Sequence, residues 1–348
     1  MSASVSLCFC KFHEMVMMIL PAADYRGLQL LQQQSRSKSS SSKRRRHVVV
    51  DLNASQGHFR SVQEAVNSIP DGNPDKLIIH INAGTYLEKV VVAHNLPYLT
   101  FQGAGADVTT ITWHDIASDL GSDGQQLTAY NTASVTVFAP HFIARDIAFR
   151  NTAPSPPAGT NGKQGAAFRI SGDMAAFYSC SFFGGQDTLC DDTGRHYFKN
   201  CYIEGSIDFV FGNGQSIYML STLVSTAVDY GAFAAQDRQT ASESTGFAFM
   251  NCTLTGTGYN YLGRAMGPYS RIIYAYSYID NMLAPGGWDD WDHDTSRDST
   301  VTFGELKCWG PGANQKTRVP WSHEFTEANV QSLYQLSFID AHEWLTEV

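Results

Sequence analysis

A weak internal repeat constrains the fold of this chain more than any other feature of its sequence. Segments 177–184, 197–205 and 249–256 each run from an aromatic residue through a cysteine and an apolar residue to a glycine. The equivalent residue of each copy, with one looser copy included, is small: Cys180, Cys201, Ser221 and Cys252. These residues are 21, 20 and 31 positions apart, the last interval being one coil plus an inserted loop. A period of roughly 20–25 residues is typical of a solenoid, and because successive coils run in one direction the repeat predicts a right-handed parallel β-helix.

The remaining pattern favours an all-β class with few helices. Short β-rich runs separated by Gly, Asn, Asp or Pro follow one another from residue 76 to residue 278. No helical segment of crossover length lies between them, which disfavours a doubly wound α/β sheet. Ser61–Glu64 fits a capping box at the start of one short amphipathic helix. Two weakly helical stretches within 322–345 are expected to cover an edge of the stack.

Residues 1–46 are expected to form a separate flexible segment, leaving residues 47–348 as one β-helix domain. The first segment is rich in Ser and Gln and carries six excess positive charges, whereas the whole chain has a formal net charge of −9. The remainder therefore carries −15, and such an acidic body argues against a nucleic-acid partner. The apolar run 16–20 and the following Pro21–Ala23 match the end of a signal peptide in part. No apolar run of about 18 residues occurs, so no membrane-spanning helix is expected.

The seven cysteines do not form paired CxxC units, so no structural zinc site is expected. Cys180 and Cys201 should be neighbours on adjacent coils, about 4.8 Å apart, which is within the range that a disulfide spans. A disulfide and a pair of reduced core thiols are both compatible with this spacing.

Polar residues interrupt the β-rich pattern at intervals of one coil. Gln164, Asp187 and Asp208 are separated by 23 and 21 residues, and Gln186 precedes Asp187. If these intervals are single coils, the side chains stack in one column with steps of roughly 5 Å. Two carboxylates so close cannot both ionise readily, so one keeps a proton while the other stays anionic. Arg264 is the candidate that decides which carboxylate is charged, by lowering its pKa.

A polar ladder inside a solenoid needs no function, and this alternative applies to either aspartate taken alone. Convergence of two carboxylates, two amides and an arginine favours an active site, because buried carboxylates destabilise a fold unless they are paired. No Gly-x-Ser-x-Gly segment occurs, which disfavours a serine esterase.

Several segments resemble, in their order and spacing, the signature segments of plant pectin methylesterases: 84–88, 164–169, 185–189, 208–213 and 262–264. One such segment would be a weak signal, whereas five in order are specific. The resemblance extends over residues 47–345 and implies a right-handed parallel β-helix that removes methyl esters from pectin (homogalacturonan) without a metal or cofactor. It also implies a secreted, monomeric enzyme of the cell wall, with a proteinaceous pectinesterase inhibitor as a further partner. The 46 upstream residues are too few for the inhibitor-like pro-region of some members.

The resemblance also implies roles for the polar residues. Asp208 matches the nucleophile that attacks the methyl ester carbonyl, and Asp187 matches the acid that protonates methanol and then acts as base on water. Gln164 and Gln186 match the amide donors around the oxyanion. Arg264 matches the residue that keeps Asp208 ionised and contacts substrate, a contact that Gln164 shares.

Further substrate contacts are implied at Thr136, Met266 and Trp288. Trp291 has the same implied place as Trp288, and the alternative for both tryptophans is that they anchor a surface loop. Many family members carry a tryptophan where this chain has Met266. A methionine can pack against a sugar but offers no indole face or N–H donor, so affinity and subsite preference are expected to differ.

Two alternatives compete with an active pectin methylesterase. A pectin lyase would need an acidic Ca²⁺ cluster and an inverting hydrolase would need carboxylates roughly 6.5–9.5 Å apart, and stacking on adjacent coils suits neither. A catalytically weakened relative that only binds wall polysaccharide is disfavoured by the intact set of polar residues.

Overall fold

The computed structural model describes residues 45–53, 59–155, 157 and 160–346. Contacts divide the chain into two units, Arg44–Ala341 and a second unit made of Met1–Lys43 with His342–Val348. The strands of the described residues all belong to the first unit, and so does the site. The predicted signal-peptide end at Ala23 lies outside the described residues, and the boundary after residue 46 stays a prediction.

Three parallel β-sheets, named A, B and C, are visited in that order by each coil of the described chain. Sheet A has 11 strands: β1 (Arg45–Val50), β2 (Lys76–Ile81), β5 (Leu99–Gly103), β8 (Ile143–Arg145), β11 (Ala175–Tyr178), β14 (Arg195–Lys199), β17 (Gln215–Met219), β20 (Gly246–Met250), β23 (Arg271–Ala275), β26 (Thr302–Leu306) and β27 (His323–Glu324). Sheet B has 8 strands: β3 (Gly84–Leu87), β6 (Thr109–Trp113), β9 (Ala148–Asn151), β12 (Ser181–Phe183), β15 (Tyr202–Gly205), β18 (Thr222–Ala232), β21 (Thr253–Tyr261) and β24 (Tyr278–Ile279). Sheet C has 8 strands: β4 (Val90–Val92), β7 (Val135–Val137), β10 (Phe168–Ile170), β13 (Leu189–Asp191), β16 (Val210–Gly212), β19 (Ala234–Gln236), β22 (Gly263–Arg264) and β25 (Trp288–Asp289). This arrangement is the predicted right-handed parallel β-helix.

The register of sheet B explains the sequence repeat. Ser181 pairs with Tyr202, Tyr202 with Thr222, and Thr222 with Thr253, which are the predicted intervals of 21, 20 and 31 residues. At the corner before each of these strands one residue is left-handed, with φ between 50° and 54°: Ser179, Asn200, Leu220 and Asn251. The residue after that corner is buried, and it is the cysteine or serine of the repeat. The small residue is thus a consequence of a tight corner that faces the core.

The cysteines of the described residues are all free thiols: Cys180, Cys190, Cys201, Cys252 and Cys308. Of the two alternatives for Cys180 and Cys201, the structure therefore has the reduced pair. Both side chains are almost completely buried, at 1% and 2% exposure. They fill the core as small apolar groups.

An aromatic stack along the inner face of sheet A holds the coils in register. Phe177, Phe198, Tyr218, Phe249 and Tyr274 come from five consecutive coils, and their ring centroids are 4.5, 4.5, 4.6 and 4.7 Å apart. That separation is close to the distance between neighbouring strands, so one ring per coil stacks without distorting the sheet. Each such pair contributes about 0.5–1.5 kcal/mol beyond the burial of its area.

Helices occur only near the two ends of the described chain, as predicted: α1 (Val62–Asn67), α2 (Glu327–Tyr334) and α3 (Ala341–Trp344). Ser61 caps α1 by accepting the N–H of Glu64 at 3.3 Å. The Glu88 carboxylate, from the turn after β3, accepts the N–H groups of Val62 and Gln63 at 2.7 and 2.9 Å. A carboxylate distant in sequence thus satisfies N–H groups at the start of α1, which ties the helix to the first coils. In the described ranges no helix has the length and apolar character needed to cross a membrane.

Candidate active site

Two aspartates occupy the same position on neighbouring coils of sheet C. Leu189 in β13 pairs with Val210 in β16, so Asp187 and Asp208, each two residues earlier, are equivalent. Both are left-handed, with φ of 65° and 50°, a conformation that Asp tolerates better than most residues. The N–H of Asp187 also donates to the carbonyl of Ile207 at 3.0 Å, which links the two turns directly. The adjacency of the two carboxylates was therefore predictable from the interval of 21 residues.

Gln164 does not continue this column. Phe168 pairs with Leu189, so the coil equivalent of Asp187 is Ala166, and Gln164 lies two residues earlier. The N–H of Gly165 donates to the carbonyl of Gln186 at 3.1 Å, which brings the two amide side chains to the same end of the site. The prediction of one stacked column is wrong for Gln164, because the turn before β10 contains two more residues than one coil requires.

The aspartates open into a cavity of about 310 Å³ on the outer side of sheet C. It is lined by polar groups on one side and by apolar and aromatic groups on the other: Asn161, Gln164, Gln186, Asp187, Ile207, Asp208, Phe211, Tyr230, Arg264, Met266, Trp291 and Asp292. Gln164, Gln186, Asp187, Asp208, Arg264 and Met266 are thus brought together. A cavity of this size and mixed lining suits a sugar-sized group.

Asp208 is held at one oxygen and open at the other. Its Oδ2 accepts from Nη1 of Arg264 at 2.7 Å, and the two side chains are only 7% and 11% exposed. Oδ1 is buried and has no hydrogen-bond partner among the described residues. An ion pair therefore fixes the carboxylate while one oxygen keeps its lone pairs for an incoming carbonyl carbon.

Arg264 is in turn positioned by the next coil. Gly263 and Arg264 of β22 pair with Trp288 and Asp289 of β25, and Nε of Arg264 donates to Oδ1 of Asp289 at 3.1 Å. The guanidinium lies 4.3 Å from the ring centroid of Trp291. Asp289 was missed from the sequence, although its separation of 25 residues from Arg264 is the interval of one coil.

Burial and charge separate the two carboxyl groups electrostatically. Burial raises the pKa of Asp187 well above its ordinary value, and the Asp208 carboxylate raises it further while Arg264 acts in the opposite direction. Burial also raises the pKa of Asp208, but the Arg264 guanidinium lowers it, which leaves a value of about 6. At neutral pH the pair therefore holds its proton on Asp187 and its negative charge on Asp208.

The amides and the apolar wall complete the lining. Oε1 of Gln186 is buried with no hydrogen-bond partner within the described part of the chain. Outer-face residues of sheet C form a small apolar cluster: Cys190, Phe211 and Ala235, with Tyr130, Met266 and Trp291 packed against it. Met266 is thus part of the wall beside Phe211, where a methionine can contact the apolar face of a sugar.

Trp288 does not face the cavity, so its expected contact with substrate is wrong. It is 2% exposed, and its ring stacks on Phe303 with centroids 5.0 Å apart. In β25 neighbouring side chains point to opposite faces, so Asp289 points to the site while Trp288 points to the core. Trp291, the other tryptophan considered, lines the cavity.

Thr136 lies outside the cavity lining. It is on β7, where it pairs with Arg169 of β10, and Arg169 pairs with Cys190 of β13. Phe211 of β16 is the next residue in this outward-facing row, so Thr136 is three strands away from the cavity wall, or roughly 15 Å. A contact between Thr136 and substrate stays a prediction, and it would involve a more distant sugar.

Tyr230 is a further lining residue that sequence reasoning missed. It lies near the end of the long strand β18, after a register shift between Thr226 and Tyr230. Such an irregularity changes the direction of a side chain and has no reliable signal in one sequence. Burial raises the pKa of Tyr230, whereas Arg264 lowers it, as expected for a phenol beside that guanidinium.

Comparison with known proteins places this geometry in a family. Residues 47–342 match the family model described as Pectinesterase. The chain belongs to the pectinesterase family. Pectinesterase QRT1 of Arabidopsis thaliana is 46% identical over 300 residues, covering 86% of this chain and 78% of that protein. Probable pectinesterase 8 of the same plant is 43% identical, covering 86% of this chain and 76% of the relative.

Solved structures agree with this assignment. The pectin methylesterase from carrot superposes with a TM-score of 0.77 at 31% identity, over 89% of this chain and 97% of that chain. PemA from Erwinia chrysanthemi, also a pectin methylesterase, has a TM-score of 0.73 at 23% identity, over 84% of this chain and 96% of that chain, and at that identity it supports the fold alone. The predicted family and fold are confirmed.

Proposed function

We propose that this pectinesterase-family chain removes methyl esters from pectin (homogalacturonan) and releases methanol, with Asp208 as nucleophile and Asp187 as acid and base. One observation carries the proposal. A buried carboxylate is held by Arg264 at one oxygen and left unpaired at the other, beside a second carboxyl group whose pKa is raised. This arrangement fits covalent ester hydrolysis at neutral pH.

In the first half-reaction Oδ1 of Asp208 attacks the carbonyl carbon of the methyl ester. The carbonyl π electrons move to its oxygen, and the side-chain amides of Gln164 and Gln186 donate hydrogen bonds to that oxyanion. The intermediate then expels the methoxy group, which takes the proton of Asp187 and leaves as methanol. The products are an anhydride between Asp208 and the sugar carboxyl, and an ionised Asp187.

In the second half-reaction Asp187 acts as the base. It takes a proton from water, whose oxygen attacks the former ester carbonyl, and the C–O bond to Asp208 breaks. Asp208 regains its carboxylate and its ion pair with Arg264, while Asp187 again carries a proton. The galacturonic acid ionises in solution, so each turnover consumes one water and yields one methanol and one proton.

The cavity wall supplies the remaining contacts. Phe211, Met266 and Trp291 form an apolar surface on which a sugar ring can lie, and Arg264 lies between that surface and Asp208. Thr136 is retained as a contact with a more distant sugar of the polymer. The chain is proposed to act as a secreted monomer in the cell wall and to be a target of a proteinaceous inhibitor; N-terminal sequencing of the mature protein, sizing in solution and inhibitor titration test these points.

The proposal is tested by incubating the protein with highly methylated pectin while methanol, titratable acid and polymer length are followed. Methanol and acid should appear together with no shortening of the polymer, and Asp208→Ala should abolish both while the melting temperature shows an intact fold. Polymer cleavage, or absorbance from a new double bond, contradicts ester hydrolysis. Pectin binding by a folded wild-type protein without methanol release would instead support the weakened relative, which the intact site disfavours.

A further inference from the structure

The cation in the cavity is saturated with carboxylates. Of the described residues that line the cavity, Arg264 is the only lysine or arginine. Its three guanidinium nitrogens face three different carboxylates: Nη1 lies 2.7 Å from Asp208, Nε 3.1 Å from Asp289 and Nη2 3.6 Å from Asp292. The lining therefore contains no cation that remains free to receive a carboxylate from the substrate.

Asp292 is the exposed member of this group, and a strained turn places it there. Its side chain is 82% exposed and lines the cavity. Trp291, Asp292 and His293 are three successive left-handed residues, with φ of 64°, 58° and 65°, which L-residues other than glycine rarely adopt. Two bonds hold the turn: the N–H of Trp291 donates to Oδ1 of Asp289 at 3.0 Å, and the N–H of Asp294 donates to the carbonyl of Trp291 at 3.3 Å.

The charges around the reacting ester sum to a negative value. With the proton on Asp187, the lining carries negative charges on Asp208 and Asp292 and one positive charge on Arg264, and Asp289 behind it adds another negative charge. A methyl-esterified sugar is uncharged and meets no penalty there. A sugar that has lost its methyl ester is an anion, and it meets Asp292 with no compensating cation.

We propose that Asp292 is a specificity-determining residue that disfavours de-esterified galacturonate in the cavity and so directs the enzyme to densely methylated stretches of the polymer. This inference rests on the proposed function and adds the methylation pattern to it. The same repulsion hastens departure of the product, because each turnover creates a carboxylate in the cavity.

The size of the effect follows from Coulomb's law. Two unit charges about 4 Å apart in water repel by an amount equal to about a fivefold change in a binding constant. Since Asp292 is exposed, salt should screen the effect, and at about 1 M ionic strength, where the Debye length is about 3 Å, most of it should vanish.

The test compares wild type, Asp292→Asn and Asp290→Asn on two pectins, one highly and one sparsely methylated, at equal ester concentration. Asp290→Asn is the matched control, because it removes the same charge two residues away from a side chain that does not line the cavity. The measured quantity is the kcat/KM on sparse pectin divided by that on dense pectin. Asp292→Asn should raise this ratio about fivefold at low salt and should strengthen inhibition by polygalacturonate similarly, and both changes should disappear near 1 M salt.

A wild-type ratio in Asp292→Asn, or an equal rise in Asp290→Asn, overturns the inference. If Asp292→Asn is inactive or unfolded, Asp292→Gly decides the question, since glycine accepts the left-handed turn and also removes the charge. Failure of the wild-type protein to release methanol from dense pectin is a different result and overturns the proposed function instead.

Discussion

The Arg264–Asp208 ion pair predicts where the acid side of the pH profile lies and how it moves. In the free enzyme Asp208 must be ionised to attack, so kcat/KM of the wild-type protein should rise with pH through about 6, the pKa that burial and Arg264 together give this carboxyl. Arg264→Gln removes the guanidinium but keeps a polar side chain in its place. Without the cation, burial alone acts on Asp208, and its pKa should rise.

The magnitude follows from the burial of the pair. Removing one partner of a buried ion pair costs about 3–5 kcal/mol, and each 1.36 kcal/mol corresponds to one pKa unit, or a tenfold change. The lower figure applies because the cavity is open to water, so the acid limb should move up by about two pH units. At pH 6 that displacement alone lowers kcat/KM about 100-fold.

Asp289→Asn should move the same limb the other way. Asp289 is one of the negative groups that raise the pKa of Asp208, and an asparagine oxygen can still accept from Nε of Arg264. The assay is methanol release from highly methylated pectin over a range of pH, with the limb position compared rather than the plateau. The reasoning is refuted if Arg264→Gln leaves the limb in place or lowers it, or if Asp289→Asn raises it.

Three further results are expected. Asp187→Asn should lower kcat about 10²- to 10⁴-fold in the methanol assay, because it removes the acid for methanol and the base for water, and a rate within tenfold of wild type would contradict that role. Met266→Trp should change KM more than kcat on pectin, and an unchanged KM would remove Met266 from the substrate contacts. Trp288→Ala should lower the free energy of unfolding by about 3–5 kcal/mol in urea titration, because it leaves a hole beside Phe303. A large change in the KM of folded Trp288→Ala protein with no loss of stability would contradict its place in the core.

The coil repeat made much of the fold and the centre of the site predictable. The left-handed corner and the inward-facing small residue recur in each coil, so Cys180, Cys201 and Cys252 carry the period in the sequence itself. Asp187 and Asp208 obey the same period, because both sit at a fixed distance before strands that pair in register.

The parts that failed lie where the chain leaves the coil. Gln164 follows a long loop, so counting residues back from Asp187 misplaced it by two positions relative to the strand register. Trp288 and Asp289 are adjacent in a two-residue strand, and only the strand's orientation decides which of them faces the core. Tyr230 and Asp292 depend on a register shift and on a strained turn, and neither feature has a periodic signal in one sequence.

Trapping the covalent intermediate tests the central claim most directly. Wild-type protein is mixed with a methyl-esterified oligogalacturonate, quenched with acid during turnover and examined by peptide mass spectrometry. The account predicts an adduct with the mass of the substrate less methanol, carried by Asp208 and absent from Asp208→Asn protein of matching melting temperature. An adduct on another residue, or sustained methanol release by folded Asp208→Asn, would contradict it.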